Sequence, residues 1–321
     1  MNTRLEFSSE ADLSKKENKT KRCDFWQQVT QGSLIGKDNI KLAWCSINQP
    51  NSDKAIVICS GRVETYLKYQ ELIYDLYQQG YSVYAVDHRG QGLSGRLTQN
   101  PNKGYVNKFD DYVDDFSFFI DSIVKPLNHK NLFLFAHSMG GAIATLYLER
   151  CPHTFKAAVL SSPMYGIRLP VSKTIISSLA RLLDSSVRGY EPNYVLGGKD
   201  YELVSFEENE LTNSKERYQI CCELYQSNTD IQLGAPTNHW LTESLNAAER
   251  AILAAKSSKT PILLFQAERD RIVDNRGQNK ALSESCKKLV IPGAKHEIFI
   301  ETDMRRNMAL NAMLNFFKTY Q

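Results

Sequence analysis

No run of apolar residues in this chain approaches the roughly 20 needed to cross a bilayer. Its opening segment, MNTRLEFSSEADLSKKENKTKRC, lacks the apolar stretch of a secretion signal. The expectation is a chain that neither spans a membrane nor is exported. An excess of one charge is also missing: 39 Lys and Arg face 36 Asp and Glu, a formal +3. That is too small and too evenly spread a balance for nucleic acid to be the main partner. Glycine (17) and proline (10) are sparse among 321 residues, and no internal repeat is visible, which excludes collagen-like and low-complexity chains. Seven cysteines, an odd number scattered from Cys23 to Cys286, show no metal-ligand spacing. Reduced cytosolic thiols are therefore expected, and no metal site.

What is present is the material of a large globular core: 42% of residues are hydrophobic and 23% charged. From Ala55 onward, short apolar runs at 55–59, 81–86, 131–136, 156–161, 261–266 and 288–291 alternate with stretches of helical period. The runs lack strict alternation, as strands buried on both faces of a parallel sheet do. Between them, Leu72, Ile73 and Leu76 sit at helical spacing before a stop at Gly80, and Tyr112, Val113, Phe116 and Ile120 repeat the pattern. A helix is expected after Ser138 and a last one through Leu310, Met313, Leu314 and Phe317. The succession predicts an α/β class with a mostly parallel, doubly wound sheet, with antiparallel edge strands near Ser33–Ile35 and Ile40–Ser46.

The alternation breaks between about Met164 and Ser244, an interval too long for a loop and carrying its own amphipathic stretch, Val171 to Leu183. An inserted helical cap accounts for it. The expected organisation is a basic, flexible tail over 1–24, a core over 25–163, the cap over 164–245, and the rest of the core over 246–321. The tail's Lys15, Lys16, Lys19, Lys21 and Arg22 read either as a solvated face or as a docking patch for anionic lipid headgroups.

The sharpest chemical feature is Ala136-His137-Ser138-Met139-Gly140, placed between an apolar strand and a helix. It has the small-x-Ser-x-Gly form of a nucleophile elbow, in which small residues let strand and helix backbones approach around a strained serine. The bare pattern is weak, and its position at a strand-to-helix junction is what strengthens it. A serine hydroxyl needs a base, and the base needs an orienting acid. His296 lies in the loop between the last strand and the last helix, at the rim where the elbow should sit. His88 is its competitor, whereas the turn should aim His137 elsewhere. Asp270 falls in the loop after the 261–266 strand, while Asp274 is better placed to cap the next helix. The order Ser138, Asp270, His296 is that of α/β-hydrolases.

An oxyanion hole requires two backbone N–H groups. Met139 supplies one, at a helix N-terminus. Arg62, in the Ser60-Gly61-Arg62 loop after the 55–59 strand, is the choice for the other, with neighbouring amides as alternatives. Gly90-Gln-Gly92-Leu-Ser-Gly95 matches the dinucleotide fingerprint G-x-G-x-x-G. The residues after it are turn chemistry through Pro101 rather than a helix, so it is expected to be a structural loop in which Asp87, Arg89 and Ser94 satisfy buried backbone groups.

The segments SGR (60–62), DHRGQGLSGR (87–96), YVDD (112–115), AHSMGGA (136–142), SPMYG (162–166), ERDRIVDN (268–275) and GAKHE (293–297) resemble the bacterial lysophospholipases of the "L-two" type. These form part of the monoacylglycerol-lipase-like branch of the α/β-hydrolases. The likeness runs from about Phe25 to the C-terminus. It implies an α/β-hydrolase fold with a helical cap and a cofactor-free serine esterase acting on single-chain acyl lipids such as lysophospholipids. The implied place of work is the cytoplasm, at the cytoplasmic side of the bacterial inner membrane. The family triad falls on Ser138, Asp270 and His296. Two departures stand out, Ser60 where many lipases of the branch have His, and Ala136 for Gly. Monoacylglycerol lipase, general carboxylesterase and acyltransferase activities would use the same triad, and a small-molecule receptor could use the same fold.

Overall fold

The computed structural model describes residues 6–13 and 15–321, the side chain of Lys16 excepted. Two helices, α1 (Glu10–Leu13) and α2 (Lys16–Trp26), precede β1 (Thr30–Ile35) and β2 (Lys41–Ile47). Strands and helices then alternate: β3 (Lys54–Cys59), α3 (Gln70–Gln78), β4 (Ser82–Val86), α4 (Phe109–Phe119), β5 (Asn131–His137), α5 (Met139–Arg150) and β6 (Ala157–Ser161). Helices α6 (Lys173–Leu183) and α7 (Lys215–Ser227) interrupt the alternation. It resumes with α8 (Asn238–Lys256), β7 (Ile262–Ala267), α9 (Asn275–Lys280), β8 (Cys286–Ile291) and α10 (Asp303–Lys318).

The eight strands form one sheet in the order β1-β2-β4-β3-β5-β6-β7-β8. β2 runs antiparallel to β1 and β4, and every other pair is parallel. The apolar runs are strands because both of their faces are covered. In β3, Val57 and Cys59 face a layer built from Tyr112 and Phe116 of α4, Ile143 of α5 and Ala251 of α8. Ile56 and Ile58 face the opposite layer, with Leu72 and Leu76 of α3 and Leu310 and Phe317 of α10. The period of two puts successive side chains on opposite faces. Phe133 of β5 stacks on Phe317 with ring centroids 4.6 Å apart. Truncating such a buried ring costs about 3–5 kcal/mol.

Two boundaries differ from expectation. The segment expected as a flexible tail contains α1 and most of α2, which runs on into the expected core. Ser8 donates through its N–H and Oγ to Asp75, at 2.9 and 2.7 Å, and Phe25 packs edge-on to Tyr74 and obliquely against Tyr77. These anchors are few and show no helical period, so nothing in the pattern announced them. The side chain of Lys16, one of the five basic residues, lies outside the described residues. At the other end of the cap, α8 runs unbroken across position 245 and packs on α5, so the core resumes at its N-terminus. There Thr237 caps the helix by accepting from Trp240 N–H at 3.2 Å.

Candidate active site

The site lies at the carboxyl ends of the parallel strands, where β5 turns into α5. Ser138 occupies that turn with φ 51° and ψ −117°, a left-handed backbone that is costly for a residue with a Cβ. The turn is over-determined. Ser138 N–H donates to Ser161 O at 3.0 Å, and its carbonyl accepts from Gly141 and Met164, each at 2.9 Å. Gly140 passes so close to β3 that a Cβ there would lie 2.2 Å from the Cys59 carbonyl oxygen.

His296 and Asp270 arrive from the loops after β8 and β7. Asp270 Oδ2 lies 2.8 Å from His296 Nδ1, and His296 Nε2 lies 2.9 Å from Ser138 Oγ. A carboxylate only accepts, so Nδ1 carries the proton and Nε2 is left to accept from the serine hydroxyl. Asp270 Oδ1 accepts from the N–H groups of Ile272 (2.8 Å) and Val273 (3.0 Å). Burial opposes the charged form of Asp270, yet the imidazole and those two amides outweigh it and hold its carboxyl below the usual range. Asp274 caps α9 instead, accepting from Arg276 N–H at 2.9 Å.

The remaining histidines fall elsewhere. His88 is buried and makes a 3.1 Å contact between Nε2 and Ser60 O, bracing the loop after β3 from behind. His239 bridges Asp184 and Asn107 O, and His129 contacts the Tyr84 hydroxyl. His137 does not reach Ser138. Its ring packs on that of His296, with centroids 4.8 Å apart, a contact that adjacency in sequence did not reveal.

Met139 is the first residue of α5, so its N–H has no intrahelical acceptor. The Ser60–Arg62 loop lies directly against Ser138, since a Cβ on Gly61 would be 3.2 Å from Ser138 Cβ. Gly61 N–H is committed to Glu64 Oε2. No hydrogen bond among the described residues uses Arg62 N–H. The fingerprint-like glycine loop opens no helix. Its Gln91 donates to Gly61 O (2.7 Å) and Glu64 O (2.9 Å), and Asp87 accepts from Tyr66 N–H, Leu93 N–H and Thr65 Oγ1. Gly92 is required there because a Cβ would fall 2.1 Å from Asp87 Oδ2. This loop is a clamp on the segment after β3.

Sequence reasoning missed a buried ion network beside His296. Lys68 Nζ bridges Glu64 Oε1 (2.9 Å) and Glu297 Oε1 (2.5 Å), and Tyr69 donates to Glu64. Burial disfavours each charge, but the mutual attraction prevails: Glu64 is held down at about 2 and Lys68 is pushed well above its ordinary value. Glu64 and Lys68 are four residues apart, the one signal the sequence offered. Glu64, His137 and Glu297 lie close enough to hold a cation, but the Lys68 ammonium already bridges both carboxylates. From the cap, Tyr225 donates to Val63 O at 2.6 Å, pinning a residue with φ 69°.

A cavity of about 450 Å³ opens over Ser138 and His296. Its walls are mainly apolar, with Met164, Ile167, Leu211, Trp240 and Ile300 among them, and Cys221 and Cys222 of α7 also border it. The arrangement suits attack by Ser138 on an ester with a long apolar substituent.

Comparison with known proteins agrees with this chemistry. The family described as "Serine aminopeptidase, S33" (Hydrolase_4) matches residues 50–303. "Lysophospholipase L2" of Escherichia coli strain K12 is 38% identical over 306 residues, spanning 92% of this chain and 90% of its own. "Probable lysophospholipase L2" of Haemophilus influenzae is 40% identical over 300 residues, 91% of this chain and 94% of its own. Among solved structures, a soluble variant of monoglyceride lipase from Saccharomyces cerevisiae superposes with a TM-score of 0.72 at 19% identity, over 91% of this chain and 95% of that one.

Proposed function

This chain belongs to the Hydrolase_4 family and shares the α/β-hydrolase fold, and from that premise we propose that it is a lysophospholipase whose nucleophile, base and orienting acid are Ser138, His296 and Asp270. Its relatives named lysophospholipase L2 and monoglyceride lipase support a serine hydrolase acting on acyl lipid esters. The observation that carries the residue roles is the unbroken relay from Ser138 Oγ through His296 to Asp270, with links of 2.9 and 2.8 Å.

His296 Nε2 accepts the hydroxyl proton as Ser138 Oγ bonds to the acyl carbon, and Asp270 stabilises the imidazolium that results. The N–H groups of Met139 and Arg62 receive the developing oxyanion. Collapse of the tetrahedral species expels the glycerol oxygen, which takes the proton from His296. Water, deprotonated by the same imidazole, then releases the fatty acid from Ser138. The products are a fatty acid and a glycerophosphodiester.

Access to lipid is proposed to run through the cap, with the chain acting in the cytoplasm and docking peripherally on an anionic bilayer surface. No helix among the described residues is long and apolar enough to cross a membrane. α6 nevertheless turns Ile175, Leu179 and Leu182 outward, Leu182 being 74% exposed, with Arg181 and Arg188 exposed nearby. An outward apolar stripe flanked by arginines matches an interfacial surface.

The test is a product assay on lysophosphatidylethanolamine, the matching monoacylglycerol and a short nitrophenyl ester, with Ser138→Ala as control. Release of fatty acid and glycerophosphoethanolamine that is lost in the variant is expected. Turnover of the neutral esters alone would replace this reading with that of a monoacylglycerol lipase or general esterase, and acyl transfer to an added alcohol in preference to water would make it an acyltransferase.

A further inference from the structure

The charges around the cavity are matched with one exception. Lys68 is held between Glu64 and Glu297, and Glu202 pairs with Lys199 at the rim. Arg62 also lines the cavity, yet no carboxylate among the described residues pairs with it. Its Nη2 donates to Gly234 O, its guanidinium lies 5.2 Å from the Trp240 ring centroid, and its Nε is buried without an acceptor. No hydrogen bond among the described residues serves Nη1. Removing a cation from water without a counter-charge is expensive, and an aromatic face offsets only part of that cost. Burial accordingly pushes this guanidinium down to about 10.

Two other basic residues, Arg96 and Lys173, are committed elsewhere. Arg96 donates to the carbonyls of Asp230 and Gln232, and Lys173 pairs with Glu249 and bonds to Leu245 O. Neither borders the cavity.

We infer that the Arg62 side chain is the receptor for a phosphate carried on the glycerol of the substrate, so that one residue serves both ends of the scissile half. Its backbone N–H faces the ester oxygen and its guanidinium faces the phosphate. The number of bonds from the Arg62 backbone nitrogen to its guanidinium carbon equals the number from the ester carbonyl carbon of a 1-acyl lysophospholipid to its phosphorus. A planar, always charged donor is the side chain suited to phosphate. Gly104 keeps the space, since a Cβ there would lie 2.7 Å from Arg62 Nη2. The lysophospholipase reading supplies the identity of the anion, and the unmatched cation supplies the site.

The experiment compares wild type, Arg62→Gln and Arg62→Lys, all of which keep the backbone N–H. Substrates are a lysophosphatidylethanolamine and a monoacylglycerol of the same short acyl chain, below their micelle concentrations. The ratio of their kcat/KM values cancels any shared effect on the oxyanion hole. That ratio should fall about ten- to a hundredfold in Arg62→Gln, the range for a lost charged hydrogen bond, and recover in part in Arg62→Lys. A second arm uses sn-glycerol 3-phosphate and inorganic phosphate as competitive inhibitors of nitrophenyl ester hydrolysis. The glycerol phosphate should bind more tightly than free phosphate, and its inhibition should weaken in Arg62→Gln. If wild type cleaves only the neutral ester while glycerol phosphate inhibition still depends on Arg62, the substrate reading fails and the anion site stands. An unchanged ratio, or inhibition indifferent to Arg62, overturns the site itself.

Discussion

Replacing Gly140 with alanine probes how the nucleophile turn is built. The added Cβ would lie 2.2 Å from Cys59 O and 2.3 Å from Ser60 O. Both obstacles are backbone at the end of β3, which is paired on either side with β4 and β5, so no side chain can swing aside. Relief requires α5 and β3 to part by roughly an ångström. Overpacking costs about 1–3 kcal/mol where neighbours can shift, and a backbone obstacle puts this one near the upper end. The melting temperature should drop by about 4–5 °C, the shift that about 3 kcal/mol produces in a chain of 321 residues. The same movement separates the Met139 N–H, on the helix, from the Arg62 N–H, on the loop leaving β3. A displacement of that size at paired oxyanion donors should lower kcat/KM about a hundredfold, well beyond what the stability loss explains at 25 °C. Calorimetry and nitrophenyl ester kinetics on the purified variant measure both quantities. Gly197→Ala is the control: its φ is +77° but nothing lies within 4 Å of a Cβ there. It should cost about 1–2 kcal/mol and leave kcat/KM unchanged. A Gly140→Ala enzyme with wild-type kcat/KM would refute the claim that close approach of these two backbones sets the oxyanion geometry.

Two further perturbations separate structural from chemical roles. Lys68→Met leaves Glu64 and Glu297 buried without their shared cation and should cost about 3–5 kcal/mol in urea denaturation. Adding Glu297→Gln should recover part of that loss, and a single variant as stable as wild type would dismiss the network as a frame. Acid stability should show opposite contributions from two neighbours. Burial holds His88 down at about 4, so its contribution is present above pH 6.5 and is lost as pH falls toward 4, about 3 kcal/mol in all. Burial pushes Asp87 up to about 7, against the hydrogen bonds from Leu93, Tyr66 and Thr65, so its contribution is present below about pH 4 and is lost as pH rises through 7. Between pH 7 and 4, His88→Gln should therefore lose less thermal stability than wild type and Asp87→Asn more. Parallel melting profiles for all three proteins would contradict both shifts.

The parallel strands were legible in the sequence because they are covered on both faces, which leaves an uninterrupted apolar run with turn residues at its ends. The loops that carry the proposed triad were legible for the same reason, since a strand that can be read fixes where its carboxyl end lies. The parts that escaped lack such a signature. α7, which carries Tyr225 against the oxyanion loop, presents polar residues along most of its length, KERYQICCELYQS, and no stripe betrays its docking face. The boundary of the cap was misplaced because α8 continues from cap to core with Ala247, Ala251 and Ala254 buried and Leu253 68% exposed, so composition does not change where the chain rejoins the sheet. No helix among the described residues follows the glycine loop at 90–95 before Phe109, as its turn chemistry through Pro101 predicts, though Arg89 pairs with Asp115 rather than chiefly with backbone. Gln91 as the clamp on Gly61 could not be read, because a glutamine in a turn has no pattern that names its acceptor.

The segment after β3 explains why an esterase would surround its site with so many buried ions. Two oxyanion donors must be fixed before the substrate arrives, because a donor that reorients during the reaction gives back what it contributes. One is fixed by the helix. The other lies in a loop, where hydrogen bonds must do what a helix does, and each surrounding group removes one alternative conformation. Glu64 consumes Gly61 N–H, Gln91 holds Gly61 O, His88 contacts Ser60 O, and Tyr225 of the cap holds Val63 O. With these groups engaged, no hydrogen bond among the described residues uses Arg62 N–H. Glu64 accepts from Gly61 N–H, Tyr69 and Lys68 together, and Lys68 is fixed in turn by Glu297. Glu297 is the residue after His296, the proposed base, so the chain of charges that immobilises the proposed oxyanion loop ends on the backbone that carries that imidazole. The donor and the base are thereby held by one network, and a change at Lys68 should disturb both together.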